Sequence, residues 1–153
     1  MARALSPVVG TVLLAAVTVI AATTVGVVTT VEPGPVVPTA QVSVSADADS
    51  DRIALTHEGG ETLEVSELSV TVPVDGETLD RQPPVPFFAA RGFESGPTGP
   101  FNVASDDTTW SAGETGTVRL ASTNDPQLTE GARVEVTVAT DGGVVATVET
   151  VTT

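Results

Sequence analysis

The pattern of apolar and polar positions divides this chain into two parts. Residues 5–31 form a stretch of 27 residues without a charge, whereas apolar and polar side chains alternate in several segments after residue 40. An uninterrupted apolar stretch of this length is typical of a membrane span, and alternation with a period of two is typical of half-buried β-strands. The sequence therefore predicts a mainly β protein with a long N-terminal apolar α-helix.

The apolar stretch is long enough to cross a bilayer. As a helix, residues 5–31 would be ~40 Å long, and the hydrocarbon core needs only about 20 residues. The stretch is rich in Val, Thr and Ile, but a single span can satisfy its backbone polar groups in hydrocarbon only as a helix. Ser6 is a suitable N-cap and Pro7 suits the first helical position, so the helix is predicted to begin near Pro7.

A β domain is predicted over residues 40–153, after a proline-rich connector at residues 32–39 that would end the helix. Gly59-Gly60, Asp75-Gly76 and residues 141–143 can adopt the positive φ of tight hairpin turns. Six or seven short strands joined in this way favour an immunoglobulin-like antiparallel β-sandwich. The predicted strands are residues 41–46, 52–57, 67–74, 115–121, 133–140 and 144–150.

Residues 81–110 break the alternation, and we expect a long loop there. The segment holds five prolines and all five aromatic residues of the chain. Phe87, Phe88 and Phe93 are candidates for an exposed contact surface, because contiguous apolar patches often mark recognition sites. The alternative is ordinary core: the strands supply few large side chains, so some phenylalanines, and above all Trp110, would fill one end of the sandwich.

The charge balance limits the partners and the surroundings. The 153 residues include 20 acidic and 6 basic ones, for a net charge of −14. This balance excludes nucleic acid as a partner. It also opposes association unless salt screens it, and at molar salt the Debye length is only ~3 Å, so the sequence predicts a high-salt environment. The chain has no cysteine, so a domain outside the cytoplasm would depend on its core without disulfides.

Near its start the chain carries the segment Arg3-Ala4-Leu5-Ser6-Pro7-Val8-Val9-Gly10-Thr11-Val12-Leu13-Leu14, which continues through Ile20 to Val25. This segment resembles the N terminus of haloarchaeal type IV pilins over roughly residues 3–28. The resemblance implies that residues 1–4 are a short leader, which prepilin peptidase removes between Ala4 and Leu5. Arg3 would fill the charged position, Ala4 the small position before the cleaved bond, and Leu5 and Ser6 the positions after it. All four are substrate residues, not catalytic ones.

The resemblance also implies what the helix does after cleavage. It would wait in the membrane and then pack against identical helices in an extracellular surface filament. The implied partners are copies of this chain, other pilins, prepilin peptidase, the pilus assembly machinery and the membrane. Bacterial members usually carry a glutamate five residues into the mature helix, where this chain has Val9, but archaeal members commonly lack it. Residues 57–63 and 110–116 resemble segments of the same proteins' β domains.

A helix-packing face can be traced within the apolar segment. Thr18, Ala22 and Gly26 recur every four residues, and this spacing of small residues allows two helix backbones to approach closely. The alternative is chance, because a helix rich in Ala, Thr and Val often shows such spacing.

Four acidic residues have part of the spacing of a calcium loop. Asp47, Asp49, Asp51 and Glu58 occupy positions 1, 3, 5 and 12 of such a loop. The sixth position requires glycine for a sharp turn, and this chain has Arg52 there. The preferred interpretation is a solvated acidic turn. No metal and no cofactor are predicted.

The sequence gives no positive support for catalysis. His57, the single histidine, follows an alternating strand, and no partner residues are indicated for it, so a hydrogen-bonded turn histidine is preferred. The motifs of nucleophilic, phosphate-binding and zinc-dependent enzymes are missing. A secreted hydrolase is therefore only the third hypothesis, in which Glu58 or His57 would be needed for activity. The first is a pilin-like filament subunit used in adhesion, and the second is a membrane-anchored protein that displays a β-sandwich without polymerising.

Overall fold

The computed structural model describes residues 33–153, so the predicted leader at residues 1–4 and the predicted apolar helix at residues 5–31 lie outside the described residues. The described part is mainly β with antiparallel pairing, as the alternation predicts. Two short 3-10 turns occur at Val65–Glu67 and Gly99–Phe101. The strands are β1 (Ala40–Asp47), β2 (Arg52–Gly60), β3 (Leu63–Glu64), β4 (Ser69–Thr71), β5 (Pro73–Val74), β6 (Glu77–Thr78), β7 (Thr109–Trp110), β8 (Thr115–Arg119), β9 (Arg133–Thr140) and β10 (Gly143–Val151).

These strands form three sheets that share one core. β2 lies between β1 and β8, while β9 pairs with β10 on one side and with β4 and β5 on the other. β6 extends the larger sheet beyond β5, and β3 pairs with β7. Beyond β10, Thr153 donates its N–H to Ala46 O (3.1 Å) and accepts from Ala48 N–H (2.9 Å), which ties the C-terminal residues to β1. Both larger sheets contribute to a single hydrophobic cluster, so the arrangement is sandwich-like.

The core is most regular along β9. Val134, Val136 and Val138 are each 0% exposed and alternate with charged or polar residues. Burying a valine is worth roughly 1.5–3 kcal/mol relative to leaving it exposed, so these three positions determine which face of β9 points inward. Ile53 and Leu55 of β2 supply the same cluster from the other large sheet.

Most strands lie where the alternation predicts them. β9 has the predicted bounds, and β1, β2, β8 and β10 differ from their predictions by a few residues at the ends. The predicted strand at residues 67–74 is instead divided into β4 and β5. Pro73 has no N–H for a ladder, and Val72 N–H donates to Gln82 Oε1 (2.8 Å) instead of to a neighbouring strand. The two-residue strands β3, β6 and β7 are too short for alternation to indicate them.

Two of the three predicted turns occur as expected. Asp75 (φ 51°) and Gly76 (φ 81°) connect β5 to β6 with the positive φ values of a tight hairpin, and residues 141–142 connect β9 to β10. The prediction for Gly59-Gly60 is wrong, because both residues belong to β2 and pair with β1. Gly60 has φ +102°, and a Cβ there would collide with the carbonyl oxygen of Thr39. A close approach of two chain segments therefore requires this glycine.

The outer edge of β8 is covered by the long loop. Residues 93–98 run along it: Glu94 N–H donates to Arg119 O (2.9 Å), and Thr98 and Thr117 exchange backbone hydrogen bonds of 3.1 and 3.3 Å. An exposed strand edge is a template for pairing with another chain. The loop removes that template from β8.

Residues 81–110 are irregular apart from Gly99–Phe101 and β7, so the predicted long loop is confirmed. The loop is nevertheless packed onto the body. Phe101 is 1% exposed, and its ring lies so close to Gly116 that any Cβ at that position would collide with it. The aromatic residues of this segment therefore mainly complete the core.

Candidate functional site

The processing and helix-packing residues are not part of the described chain. Arg3, Ala4, Leu5 and Ser6 lie outside the described residues, and so does the packing face of Thr18, Ala22 and Gly26. Within residues 33–153, no helix is long and apolar enough to cross a membrane. The described residues therefore bear on the β domain, its surface and its connector.

The three candidate contact phenylalanines have different environments. Phe87 and Phe93 are 5% and 6% exposed, and their ring centroids lie 5.7 Å apart in a tilted pair. They are core residues, so they cannot offer a surface. Phe88 is 54% exposed, and Val103, in the next segment of the loop, is 59% exposed. Val103 N–H donates to Phe87 O (3.2 Å), so the two exposed residues lie on adjacent segments of the loop. An apolar contact surface there would rest on Phe88 and Val103, which alternation alone does not indicate.

Trp110 and His57 form a buried aromatic cluster with Phe101. Trp110 is 0% exposed, its ring centroid lies 5.2 Å from that of Phe101, and its Nε1–H donates to Glu114 O (2.9 Å). This is the core role preferred for Trp110 from the sequence. His57 contacts the Trp110 ring edge-on at 5.6 Å.

His57 has the contacts of a structural residue in the core. The ring is fully buried, and Nε2 is 2.8 Å from the backbone oxygen of Glu61, which can only accept a hydrogen bond. Nδ1 has no hydrogen-bond partner among the described residues. The neighbouring Glu58 side chain instead accepts a hydrogen bond from Ser43 Oγ. His57 and Glu58 are therefore not joined in an acid–base pair, and His57 lies within β2, not in a turn.

The aspartates of the candidate calcium loop cluster at the β1–β2 turn, but Glu58 does not join them. Asp47 pairs with Arg52 at the turn, whereas Glu58 lies near the opposite end of the hairpin. No group of three or more His, Cys, Asp or Glu side chains within residues 33–153 is arranged to hold a metal ion. The structure therefore separates the residues that the loop spacing would bring together.

Two aspartates are held ionised by their own turns. The Ser50 N–H (3.0 Å) and Ser50 hydroxyl (3.1 Å) donate to Asp47 Oδ1 and lower the pKa of Asp47 below its usual value of 3.8. The Thr109 hydroxyl (2.6 Å) and Thr109 N–H (2.9 Å) lower the pKa of Asp107 in the same way. Hydrogen bonds to the charged form explain both shifts. These carboxylates organise turns.

The connector packs against the body and forms one wall of a groove, which we call the linker groove. A Cβ on Gly142 would be 3.3 Å from Val36 O, and one on Gly143 would be 3.1 Å from Val37 Cγ2. The connector also exchanges hydrogen bonds with Glu61, whose carboxylate accepts from Thr39 N–H at 2.7 Å. The groove has a volume of about 430 Å³, and the residues lining it include Val36, Pro38, Leu63, Glu64, Glu67, Leu68 and Asp141.

A second groove, of about 840 Å³, lies on the larger sheet. Arg133 Nε is 3.5 Å from Glu149 Oε1 across β9 and β10, and Glu135 stands directly opposite Glu149 in the ladder. The lining of this second groove also includes Asp75, whose Oδ1 accepts a hydrogen bond from the backbone N–H of Arg133 at 2.9 Å. The lining of this groove is thus mainly acidic, and the positive charge of Arg133 is already paired with Glu149.

A smaller pocket has the opposite character. Arg81, Arg91, Gly92 and Thr123 line a space of about 320 Å³, which we call the arginine pocket. No local sequence pattern indicates these residues, because Thr123 is more than thirty positions from the arginines and only folding brings them together. The scarcity of basic residues is the one signal that could have drawn attention to them, since the whole chain has 6.

Comparison with known proteins gives a distant structural likeness and no family. No protein-family model and no curated protein matches the chain. Among solved structures it is similar to the archaellum periplasmic stator protein FlaG from Sulfolobus acidocaldarius, with a TM-score of 0.40 and 14% sequence identity. The match covers 73% of this chain and 98% of that chain. A likeness at this level assigns no function.

Proposed function

We propose that this chain is a type IV pilin-like structural subunit of an archaeal surface filament used in adhesion. In this proposal the helix at residues 5–31 is the filament core, and an immunoglobulin-like β-sandwich at residues 40–153 stands outside it. The subunit would reside in the cell membrane before assembly and in the extracellular filament afterwards. It would be a substrate of prepilin peptidase and of the assembly machinery, and it would have no enzymatic activity of its own.

The observation that carries the proposal is the order of features at the N terminus. Arg3 and Ala4 directly precede the 27 uncharged residues 5–31, so cleavage after Ala4 would leave the apolar helix on the mature subunit. An ordinary secretory signal has its apolar region before the cleavage site and loses it. A retained helix needs an apolar partner once it leaves the membrane, and identical helices supply one.

Two features of the described body support this role. Residues 93–98 cover the edge of β8, so this strand does not pair with a neighbouring copy. The connector is held against the body by contacts of Val36 and Val37 with the β9–β10 turn. The point at which the chain enters the body is therefore fixed by packing.

The test is the N terminus of the protein isolated from the surface of a halophilic host, determined by mass spectrometry. A start at Leu5, together with filaments visible by electron microscopy, is the expected result. An intact start at Met1 or Ala2 would contradict filament assembly and favour an uncleaved anchor. A start beyond Ala22 would indicate a secretory signal and a released β domain.

A pair of variants tests the packing face separately from processing. Gly26→Leu is expected to prevent filament formation while cleavage after Ala4 continues, because a large side chain would separate helix backbones. Gly10→Leu is the matched control: it lies 16 residues away, which places it about 160° around the helix from Gly26. Equal filament yields from the two variants would rule out the Thr18, Ala22 and Gly26 face.

The second candidate function is a membrane-anchored protein that displays the β domain without polymerising. The exposed Phe88 and Val103 favour it, since an apolar pair in a loop can bind another surface component. Phe88→Ser would then reduce adhesion of cells that carry the intact protein, although those cells form no filaments. Under the filament proposal, Phe88→Ser leaves filament yield unchanged.

A further inference from the structure

Two of the chain's 6 basic residues line the arginine pocket. Arg81 and Arg91 both have exposed side chains and line the same pocket of about 320 Å³. Within residues 33–153, no carboxylate lies within 4.0 Å of either guanidinium, although Asp80 directly precedes Arg81. Arg133, in contrast, has Glu149 as its ion-pair partner. The two pocket arginines are thus available to an anion from outside the domain.

A buried asparagine holds the segments that carry these arginines. Asn124 is 0% exposed; its Oδ1 accepts from Arg81 N–H (3.1 Å), and its Nδ2 donates to Arg81 O and Gly92 O (3.1 Å each). Gly92 packs so closely that a Cβ there would be 2.8 Å from Arg81 Cβ. The backbones at Arg81 and Gly92 are therefore fixed relative to each other before any ligand arrives, which lowers the entropic cost of binding.

The chemistry of the lining indicates a planar oxyanion. A guanidinium presents paired N–H donors that match the two oxygens of a carboxylate, and the hydroxyl of Thr123 can donate one further hydrogen bond. Bidentate arginine–carboxylate pairs retain geometric specificity when salt weakens long-range attraction. A carboxylate is therefore the ligand that fits this lining.

Charge complementarity identifies the source of the carboxylate. The chain has 20 acidic residues and a net charge of −14, so a second copy presents many carboxylates to the pocket. The general repulsion between copies would be reversed locally where an acidic side chain enters the arginine pocket. If the pocket and the acidic side chain belong to different surface patches, such a contact is heterologous and can repeat without closing.

We propose that Arg81 and Arg91 form a carboxylate-binding site, which is occupied by an acidic side chain of a second copy of this chain. Asn124 is the positioning residue that holds the two arginine segments together. This inference rests on the proposed function for its occupant, because it requires copies to meet in an assembly. The existence of the site itself does not depend on filament formation.

The first test measures the site alone. The Nε–Hε NMR signals of ¹⁵N-labelled full-length protein in detergent micelles are followed while acetate replaces chloride at constant ionic strength. The signals of Arg81 and Arg91 are expected to shift and saturate together, whereas that of Arg52 should show no saturation. Absence of a saturating shift at Arg81 and Arg91 would overturn the site.

The second test measures the occupant. R81E/R91E is expected to reduce filament yield from a halophilic host about tenfold, because like charges at a contact cost several times the thermal energy. R52E/R119E is the matched control, since it changes the net charge equally at two other exposed arginines that have no ion pair among the described residues. Near-wild-type yield from the control and loss from R81E/R91E would support a second copy as the occupant.

The remaining outcomes separate this inference from the proposed function. Saturable acetate binding with equal yields from both double variants would overturn the second copy and indicate a carboxylate from another source. If the wild-type protein forms no filaments, the proposed function fails together with the occupant, and the acetate titration still decides whether the site exists. Loss of the saturating shift in Asn124→Ala, with Trp110 fluorescence unchanged, is the expected sign of positioning.

Discussion

β9 and β10 are neighbours with similar sequences and very different environments. Both are rich in Val and Thr, and the same alternation predicts both of them. In β9, three valines are fully buried, whereas none of the residues in β10 is, and Val144 and Val151 are more than half exposed. β9 has strands on both sides and β10 only on one. Alternation therefore indicates that a segment is a strand, but its position in the sheet decides how much that strand stabilises the fold.

The largest expected effect comes from shortening a valine in each strand. Val136→Ala should lower the free energy of unfolding by about 2 kcal/mol or more, because it removes two buried methyl groups and leaves a cavity. Val148→Ala, at a half-buried position of β10, should cost less than about 1 kcal/mol. Denaturant unfolding of the full-length protein, followed by the fluorescence of the single, buried Trp110, measures both. Equal losses in the two variants would contradict the inference that the position of a strand in the sheet decides how much it stabilises the fold.

A smaller effect is expected where the two strands carry like charges. Glu135 of β9 stands directly opposite Glu149 of β10, and like charges in this position are destabilising. Glu135→Lys should therefore raise the free energy of unfolding by about 0.5 kcal/mol at low salt. The gain should disappear at molar salt, where screening is strong. Glu130→Lys, in a loop, is the control for net charge alone, and an equal gain there would exclude the cross-strand explanation.

The smallest effect concerns a turn outside this hairpin, where solvent surrounds the charge. The Ser50 donors lower the pKa of Asp47, so they stabilise the fold above the usual value of 3.8, and this contribution is lost as the pH falls through the lowered value. Ser50→Ala removes the hydroxyl donor and keeps the N–H donor, so the pKa of Asp47 should rise only part of the way. Carboxyl ¹³C NMR titration measures it, and an unchanged pKa would refute the hydrogen-bond explanation.

The sequence predicts the mainly β fold and most of its long strands because burial on one face leaves a period of two. It does not predict that Gly59-Gly60 belong to β2, because the close approach of Thr39 that requires Gly60 is tertiary. Nor does composition distinguish Phe88 from Phe87, which are adjacent in the loop. One points to solvent and the other packs on Phe93, and only the completed core decides which.

The candidate sites show the same limit more strongly. The calcium spacing of Asp47, Asp49, Asp51 and Glu58 is a local pattern, and the β1–β2 hairpin separates its last member from the others. The arginine pocket has no local pattern, since Asn124 reaches Arg81 across 43 positions of sequence. The predicted cleavage site and packing face depend on residues 3–26, and they remain predictions.

Residues 93–98, which cover the edge of β8, also affect how readily the stored protein aggregates. In concentrated solutions of β proteins, an exposed strand edge can pair with another molecule and cause aggregation. Here residues 93–98 of the same chain cover the edge of β8 and are held by Glu94 and Thr98. This protection does not depend on protein concentration, because it comes from within the chain. A protease cut in this stretch should therefore expose the edge of β8 and increase aggregation, measured by light scattering, relative to the uncut protein.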